Sequence, residues 1–227
     1  TGLTPEYGFH LDESRKGDVA IEPDSSLFEG ESTFSYSVLG YWIGEKFPES
    51  VPVVKGLNPT PEQHKALGAG MATSGAIALY HMPGITAEAK ENPELCDVEK
   101  SVSFGKEEHD KVVEKLDEVG EAELICLGCP HVSKEELEKL LEKLKDSEKE
   151  AWICMGRDLS EDSEVQDMIM SEKPENVKFV CDTCMVVAPL SDMGYSSIGV
   201  NSAKAAHYAP SLAGVKVHFA SVEDLVR

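Results

Sequence analysis

The chain has few basic and few aromatic side chains for its length of 227 residues. Aspartate and glutamate number 42 against 21 lysines and arginines, which gives a formal net charge of −21, and aromatic residues make up 7%. Only Arg15, Arg157 and Arg227 carry the guanidinium group that grips anions through paired hydrogen bonds. A surface this acidic repels nucleic-acid backbones and anionic lipid headgroups. We therefore expect no nucleic acid and no membrane among its partners.

Long apolar runs are missing as well. The longest uncharged stretch, residues 67–87, is interrupted by glycine, serine, threonine, histidine and proline. A membrane-spanning helix needs about 20 predominantly apolar residues, so this stretch predicts a buried helix and turn instead. The chain opens on Thr1-Gly-Leu-Thr-Pro5, which has neither the basic nor the apolar part of a leader. We expect a cytoplasmic protein and, because no methionine starts it, a piece of a longer chain.

Six cysteines are present without any sign of secretion, which favours metal binding or catalysis over disulfides. Four of them form two Cys-x-x-Cys pairs, Cys126–Cys129 and Cys181–Cys184, with 51 residues between the pairs. A zinc-binding structural module that uses all four cysteines is one alternative. A zinc ribbon usually separates its pairs by about 15–20 residues, so the spacing in this chain weakens that alternative. A thioredoxin-like redox protein, in which one pair opens a helix, is another.

The second half of the chain alternates between strand and helix patterns. Short apolar runs predict strands, and amphipathic segments such as the one that begins at the Ser133–Glu136 capping box predict helices between them. The predicted strands are 123–127, 151–155, 177–181, 196–200 and 215–219. This alternation predicts an α/β fold, with a mostly parallel sheet and helices on both faces. The charge-dense residues 134–150 are expected to form a solvated helix face.

The first half gives a weaker pattern. It predicts strands at 18–22, 51–54 and 76–81 and helices at 34–47, 61–71 and 105–119. Proline and glycine cluster between residues 84 and 104. We therefore divide the chain into an amino-terminal α/β part, 1–95, and a parallel α/β part with the candidate metal ligands, 96–227.

Polar and sulfur-bearing residues follow the predicted strands at their carboxyl ends. In an open parallel sheet, these ends meet at one edge, where ligands bind. Cys129 and Cys184 lie in turns at this edge, which favours metal binding, whereas Cys96, Cys126 and Cys154 are expected to pack as small apolar residues. Lys204 follows a helix start, which suggests an anion pocket, and a plain surface lysine is the alternative. For His131 three roles stay open: a metal ligand, a catalytic acid, or a histidine that belongs only to the structure of the turn.

Five motifs spread over the chain share one order with a known family. They are Thr4–His10, Leu67–Ala76, Gly128–His131, Asp182–Pro189 and Asn201–Pro210. Together they resemble the catalytic large subunit of the aconitase X family, over about the carboxyl-terminal half of such a subunit. The resemblance implies an aconitase-like fold and an iron–sulfur hydro-lyase. Members of the family dehydrate mevalonate 5-phosphate for isoprenoid synthesis or, in bacteria, cis-3-hydroxy-L-proline.

The resemblance also implies a cofactor and a partner. The family holds an iron–sulfur cluster, which we expect to be 4Fe-4S rather than 2Fe-2S, with three cysteines. Cys129 and Cys184 match two of them, and the third is expected in an amino-terminal region outside this sequence. A small swivelling subunit that carries a catalytic serine is expected to close the site on a hydroxy-acid substrate. Cys126 and Cys181 depart from the family pattern.

The same resemblance implies roles for the remaining candidate site residues. Substrate carboxylate binding is assigned to Ser202 and Lys204 with Asn201, and orientation or proton handling to the residues His131, Thr183 and Ser74. The opening motif is expected to line the same pocket or to form a structural loop, through Glu6, Tyr7 and His10. Because a cluster ligand and the partner are missing, we expect this chain alone to be incomplete for activity.

Overall fold

The computed structural model describes residues 2–30, 32–172 and 174–227, and in these residues the strands form two parallel sheets. The strands are β1 (Val19–Pro23), β2 (Pro52–Val54), β3 (Ser101–Phe104), β4 (Leu124–Leu127), β5 (Ala151–Met155), β6 (Val177–Cys181), β7 (Ser197–Val200) and β8 (Lys216–Phe219). The α-helices are α1 (Phe34–Lys46), α2 (Pro61–Gly75), α3 (Ala87–Glu91), α4 (Lys106–Leu116), α5 (Lys134–Leu144), α6 (Arg157–Ser160), α7 (Ser163–Glu172), α8 (Ala203–Leu212) and α9 (Val222–Leu225). Short 3₁₀ turns occupy Gly8–His10, Asp12–Arg15, Ser25–Phe28 and Pro93–Cys96. The predicted α/β class, with parallel sheets flanked by helices, is confirmed.

The larger sheet has the strand order β6-β5-β4-β7-β8, and every neighbouring pair is parallel. Its central strand β4 is completely buried, so alternate side chains enter different core layers. Ile125 and Leu127 pack in one layer with the leucines of α5. Leu124 and Cys126 pack in the other, which contains the alanines of α8. Helices therefore cover both faces of this sheet.

The smaller sheet has the order β2-β1-β3 and packs beside helix α1. Helix α1 is buried along most of its length and also contacts α2, α4 and α8. It thus links the smaller sheet to the helix layer of the larger one.

Glycines allow α1 and α2 to approach backbone to backbone. A Cβ atom on Gly40 would lie 2.2 Å from the carbonyl oxygen of Leu67, and one on Gly70 would lie 2.7 Å from the carbonyl oxygen of Ser37. Gly44 and Gly75 meet in the same way, with a Cβ on Gly75 only 2.2 Å from the Gly44 oxygen. No larger residue fits these positions without separating the two helices.

The strand predicted at 76–81 is wrong. Helix α2 continues to Gly75 and is closed by Ala76 in the left-handed conformation, with φ of +51°. Of the predicted strand only His81 pairs, through an isolated bridge to Val53. Conversely, β3 was not predicted, because three of its four residues are at least partly exposed and its apolar signal is weak.

Other boundaries differ in smaller ways. The predicted 105–119 helix begins at Lys106 and ends at Leu116. The division of the chain at residues 95 and 96 stays a prediction; β3, which follows it, hydrogen-bonds to β1 in the smaller sheet. In the described part of the chain, we find no helix with the length and apolar character needed to cross a membrane.

The glycine contact between α1 and α2 gives a stability prediction. We expect Gly40→Ala to lower the free energy of unfolding by about 1–3 kcal/mol, because the new methyl group clashes with backbone that cannot rotate away. Gly68→Ala on α2 is the matched control, since its Cβ would lie at an ordinary 3.7 Å from the Tyr80 ring. Alanine should stabilise that helix by about 0.5–1 kcal/mol. Denaturant unfolding of both variants measures the difference, and equal stabilities would contradict the close packing.

Candidate active site

The turn after β4 brings Cys129 to the carboxyl edge of the larger sheet. Gly128 in this turn has a φ of +91°, and a Cβ atom on it would lie 2.2 Å from the carbonyl oxygen of Cys154 on β5. Only glycine combines this backbone conformation with so close an approach. The peptide bond between Cys129 and Pro130 is cis. Gly128 therefore lets the chain turn against β5 and leaves Cys129 half-buried at the sheet edge.

A pocket of about 440 Å³ opens at this edge. The turn after β4, the segment after β6 and helix α8 form its walls, and the residues it gathers include Cys129, His131, Cys184 and Lys204. Strand β5 separates β4 from β6, so the two cysteines come together through their turns and not through strand pairing. These four residues, which follow the predicted strand ends in the sequence, thus line one pocket.

A hydrogen bond ties the two cysteine-bearing turns together. The Nε2 atom of His131 lies 2.9 Å from the backbone oxygen of Thr183. A carbonyl oxygen only accepts, so Nε2 donates its proton and Nδ1 is the acceptor of the neutral ring. Lys65 donates to the backbone oxygen of His131 at 2.9 Å and forms an ion pair with Glu136. His131 is therefore held through both its ring and its backbone.

Two serines hold the start of α8. The Oγ atom of Ser202 accepts from the N–H of Ala205 at 3.4 Å, and the Oγ atom of Ser37 on α1 accepts from the N–H of Ala203 at 2.8 Å. These bonds satisfy amide groups that the first turn of a helix leaves without partners. They fix the segment of α8 that carries Lys204 into the pocket.

Asn201 and Ser202 line a second, smaller pocket of about 80 Å³. The segment Gly128–Pro130 lines both pockets and separates them. Lys204 lines the larger one. The residues predicted to bind a carboxylate together are therefore distributed over two adjacent spaces that meet at Cys129.

The charge state of Cys129 depends on its neighbours. Burial raises the pKa of the Cys129 thiol, because a thiolate loses hydration there. The Lys204 cation and a hydrogen bond from Ser202 both oppose this rise in pKa, whereas the nearby Cys184 adds to it. Lys204 and Ser202 are thus placed to stabilise negative charge on the Cys129 sulfur.

The cysteines of the zinc alternative are spread over three environments. Cys126 is buried in the core between the sheet and α8, Cys181 is exposed at the end of β6, and Cys129 and Cys184 line the pocket. Burial raises the pKa of Cys126 well above its ordinary value and that of the packed Cys154 to about 11. Among the residues that the structure describes, no three histidine, cysteine, aspartate or glutamate side chains form a group that could hold a metal ion. The pocket therefore offers two thiols and not four.

Five of the predicted site residues line neither pocket: Ser74, Thr183, Glu6, Tyr7 and His10. Ser74 lies on α2, where its hydroxyl donates to the backbone oxygen of Tyr41 at 2.7 Å. Glu6, Tyr7 and His10 are exposed, Tyr7 to 80%. The functional roles assigned to these five residues stay predictions. Thr183, in contrast, reaches the site through its backbone oxygen.

Sequence reasoning missed Tyr208, Lys65 and two lysines of α5. Tyr208 lines the larger pocket one helical turn after Lys204, and that i, i+4 spacing on α8 was the signal that could have found it. Lys65, Lys139 and Lys143 line the smaller pocket. The two α5 lysines belong to the segment expected to be a solvated face, and no local signal separates them from its other charges.

Comparison with known proteins agrees with this architecture. A family model described as the aconitase X second domain matches residues 17–114, and the model of the aconitase X third domain matches residues 122–227. The chain belongs to the aconitase X family. The third domain contains the larger sheet with both pocket cysteines, and the second contains α1, α2 and the smaller sheet.

Several relatives match along the whole chain. The phosphomevalonate dehydratase large subunit of Methanocaldococcus jannaschii is 39% identical over 100% of this chain and 58% of its own length. The cis-3-hydroxy-L-proline dehydratase of Pseudomonas aeruginosa is 32% identical over 100% of this chain and 41% of its own. The crystal structure of Thermococcus kodakaraensis aconitase X, holo-form, superposes with a TM-score of 0.82 at 33% identity, over 98% of this chain and 57% of that one. The chain thus spans a little over half the length of the phosphomevalonate dehydratase subunit.

The three cysteine environments predict an order of thiol reactivity. With iodoacetamide at mildly alkaline pH, Cys181 should react first, because it is exposed, and Cys129 and Cys184 should follow. Cys126 and Cys154 should stay unmodified, because both are buried and their raised pKa values keep them as unreactive thiols. Peptide mass mapping over time measures the order, with guanidinium-unfolded protein as the control in which all cysteines react. Modification of Cys126 before Cys129 in the folded chain would contradict the structure.

Proposed function

We propose that this chain is the part of a dehydratase large subunit that removes water from mevalonate 5-phosphate to give trans-anhydromevalonate 5-phosphate. The observation that carries the proposal is the pocket that joins Cys129, Cys184 and Lys204 in a chain of the aconitase X family. The identity of 39% to a phosphomevalonate dehydratase large subunit favours this substrate. A cis-3-hydroxy-L-proline dehydratase, to which the identity is 32%, is the second candidate.

Cys129 and Cys184 are proposed as two of the three ligands of a 4Fe-4S cluster. Both thiols line one pocket, and the charge of Lys204 favours the ionised form of Cys129 that a metal requires. The third ligand is proposed to come from outside these 227 residues. When bound, the cluster supplies a Lewis acid that makes the substrate hydroxyl a better leaving group.

The other residues of the pocket bind and orient the substrate. Lys204 provides the positive charge for the carboxylate, and Ser202 and Asn201 lie across the Cys129 turn from it. His131 has its Nε2 proton committed to Thr183, so its Nδ1 is the atom available to accept a proton in the site. A carboxylate beside an ammonium group also makes the adjacent C–H more acidic, which assists its deprotonation.

The base that removes this proton is proposed to belong to a partner. The phosphomevalonate dehydratase relatives are named large subunits, which implies a small subunit. We assign to that subunit a serine that takes the carbon-bound proton while the hydroxyl departs as hydroxide, and this proton and hydroxide together make up the water that is lost. This chain without the partner and the remaining ligand should show no dehydratase activity.

Single cysteine substitutions in the complete enzyme separate the cluster from a zinc module. We expect Cys129→Ala and Cys184→Ala to abolish the visible absorbance of the cluster, because each removes a ligand. The controls Cys126→Ala and Cys181→Ala should keep that absorbance, since one sulfur is in the core and the other is at the surface. Equal loss in all four variants is what a four-cysteine zinc site requires and would overturn the assignment.

Lys204→Met tests the substrate pocket in the complete enzyme. A charge-assisted hydrogen bond contributes about 1.5–3 kcal/mol, so kcat/KM for mevalonate 5-phosphate should fall about tenfold to a hundredfold when the two proteins are compared at equal cluster absorbance. Lys216→Met, at an exposed position on β8, is the matched control and should keep full activity. Unchanged kinetics in Lys204→Met would remove this lysine from the site.

The choice of substrate is tested with the unsubstituted enzyme, in which turnover of cis-3-hydroxy-L-proline in place of mevalonate 5-phosphate would establish the second candidate.

A further inference from the structure

The smaller pocket has a positive lining in a strongly acidic chain. Among its described lining residues are Lys65, Lys139 and Lys143, against the single carboxylate of Glu136. The chain as a whole carries two acidic residues for every basic one, so the pocket reverses the overall balance of charge. Such a local concentration of lysines attracts anions even where the net charge of the protein repels them.

These three lysines line the same pocket, although they come from two helices. Lys139 and Lys143 are four residues apart on α5 and therefore lie on one face of the helix. Hydroxyl-bearing side chains, Ser37 among them, line the pocket as well. The volume of about 80 Å³ admits on the order of five water molecules, which is comparable to the five heavy atoms of a phosphate group.

Two of the pocket lysines form ion pairs with single carboxylates, which carry less negative charge than a phosphate group does. Lys65 pairs with Glu136, and Lys143 pairs with Glu223 outside the pocket lining. A phosphate monoester carries about −1.5 to −2 charges and three acceptor oxygens. It therefore attracts these lysines more strongly than one carboxylate does, and the hydroxyl groups can donate to its remaining oxygens.

We propose that the smaller pocket binds the phosphoryl group of the substrate, with Lys139 and Lys143 as its principal cationic contacts. This inference rests on the proposed function, in which the substrate carries a carboxylate at one end and a phosphate at the other. Cys129 lines both pockets, so a substrate whose reacting carbon lies beside it can reach Lys204 on one side and the α5 lysines on the other. The smaller pocket would then distinguish a phosphorylated hydroxy acid from an unphosphorylated one.

Binding of inorganic phosphate to the assembled enzyme, measured by titration calorimetry, tests the pocket without relying on turnover. Lys139→Met and Lys143→Met should each raise the Kd about tenfold or more, as expected for loss of a charge-assisted hydrogen bond. Lys134→Met is the matched control, because Lys134 is on the same helix but pairs with Glu164 and does not line the pocket. The same Kd in the unsubstituted enzyme and both pocket variants would overturn the proposal.

Kinetics then connect the pocket to the substrate. Inorganic phosphate should compete with mevalonate 5-phosphate, and Lys139→Met should weaken this competition. Non-competitive inhibition would mean a separate site for free phosphate and would overturn the assignment to the substrate. Lysine-dependent phosphate binding in an enzyme that does not dehydrate mevalonate 5-phosphate would support the anion pocket while refuting the proposed function, so the two failures are distinguishable.

Discussion

The backbone-to-backbone contact of α1 and α2 is the constraint on which the rest of the structure depends. Glycines at the crossing bring α1 close enough to α2 that neither helix has space for a side chain there. Helix α1 in turn places Ser37 at the first turn of α8 and the Tyr41 hydroxyl 3.0 Å from Nδ1 of His207 on the same helix. The position of α8, and with it the pocket wall that carries Lys204, is therefore set by packing outside the larger sheet.

The site itself depends on how parallel strands end. Each strand of the larger sheet delivers its following turn to the same edge, so residues far apart in sequence meet there without direct strand pairing. The hydrogen bond from His131 to Thr183 joins the turns after β4 and β6 across the intervening β5. Cys129 and Cys184 consequently share a pocket although 54 positions separate them in the sequence.

The electrostatics of the site differ from those of the chain as a whole. An acidic surface keeps most anions away, whereas the pocket edge combines Lys204 on α8 with further lysines on α2 and α5. Lys204 is the cation proposed for a substrate anion, and it also opposes the rise in the pKa of Cys129 that burial causes. The same cation thus lies close to the candidate metal ligand and to the candidate substrate pocket. It favours negative charge at both places, on the Cys129 thiolate and on a bound anion.

The sequence by itself determined the α/β class, every strand of the larger sheet and the grouping of Cys129, Cys184, His131 and Lys204, because apolar periodicity and strand-end position are local signals. It did not reveal β3, which is largely exposed and becomes a strand only through pairing with β1. It placed Ser74 in the site, whereas the hydroxyl bonds to backbone oxygens in α1 and α2. Only the tertiary structure decided the lysine-lined pocket, because the ion pair between Lys65 of α2 and Glu136 of α5 joins residues that are far apart in the sequence, and the pattern of charges along α5 does not predict it.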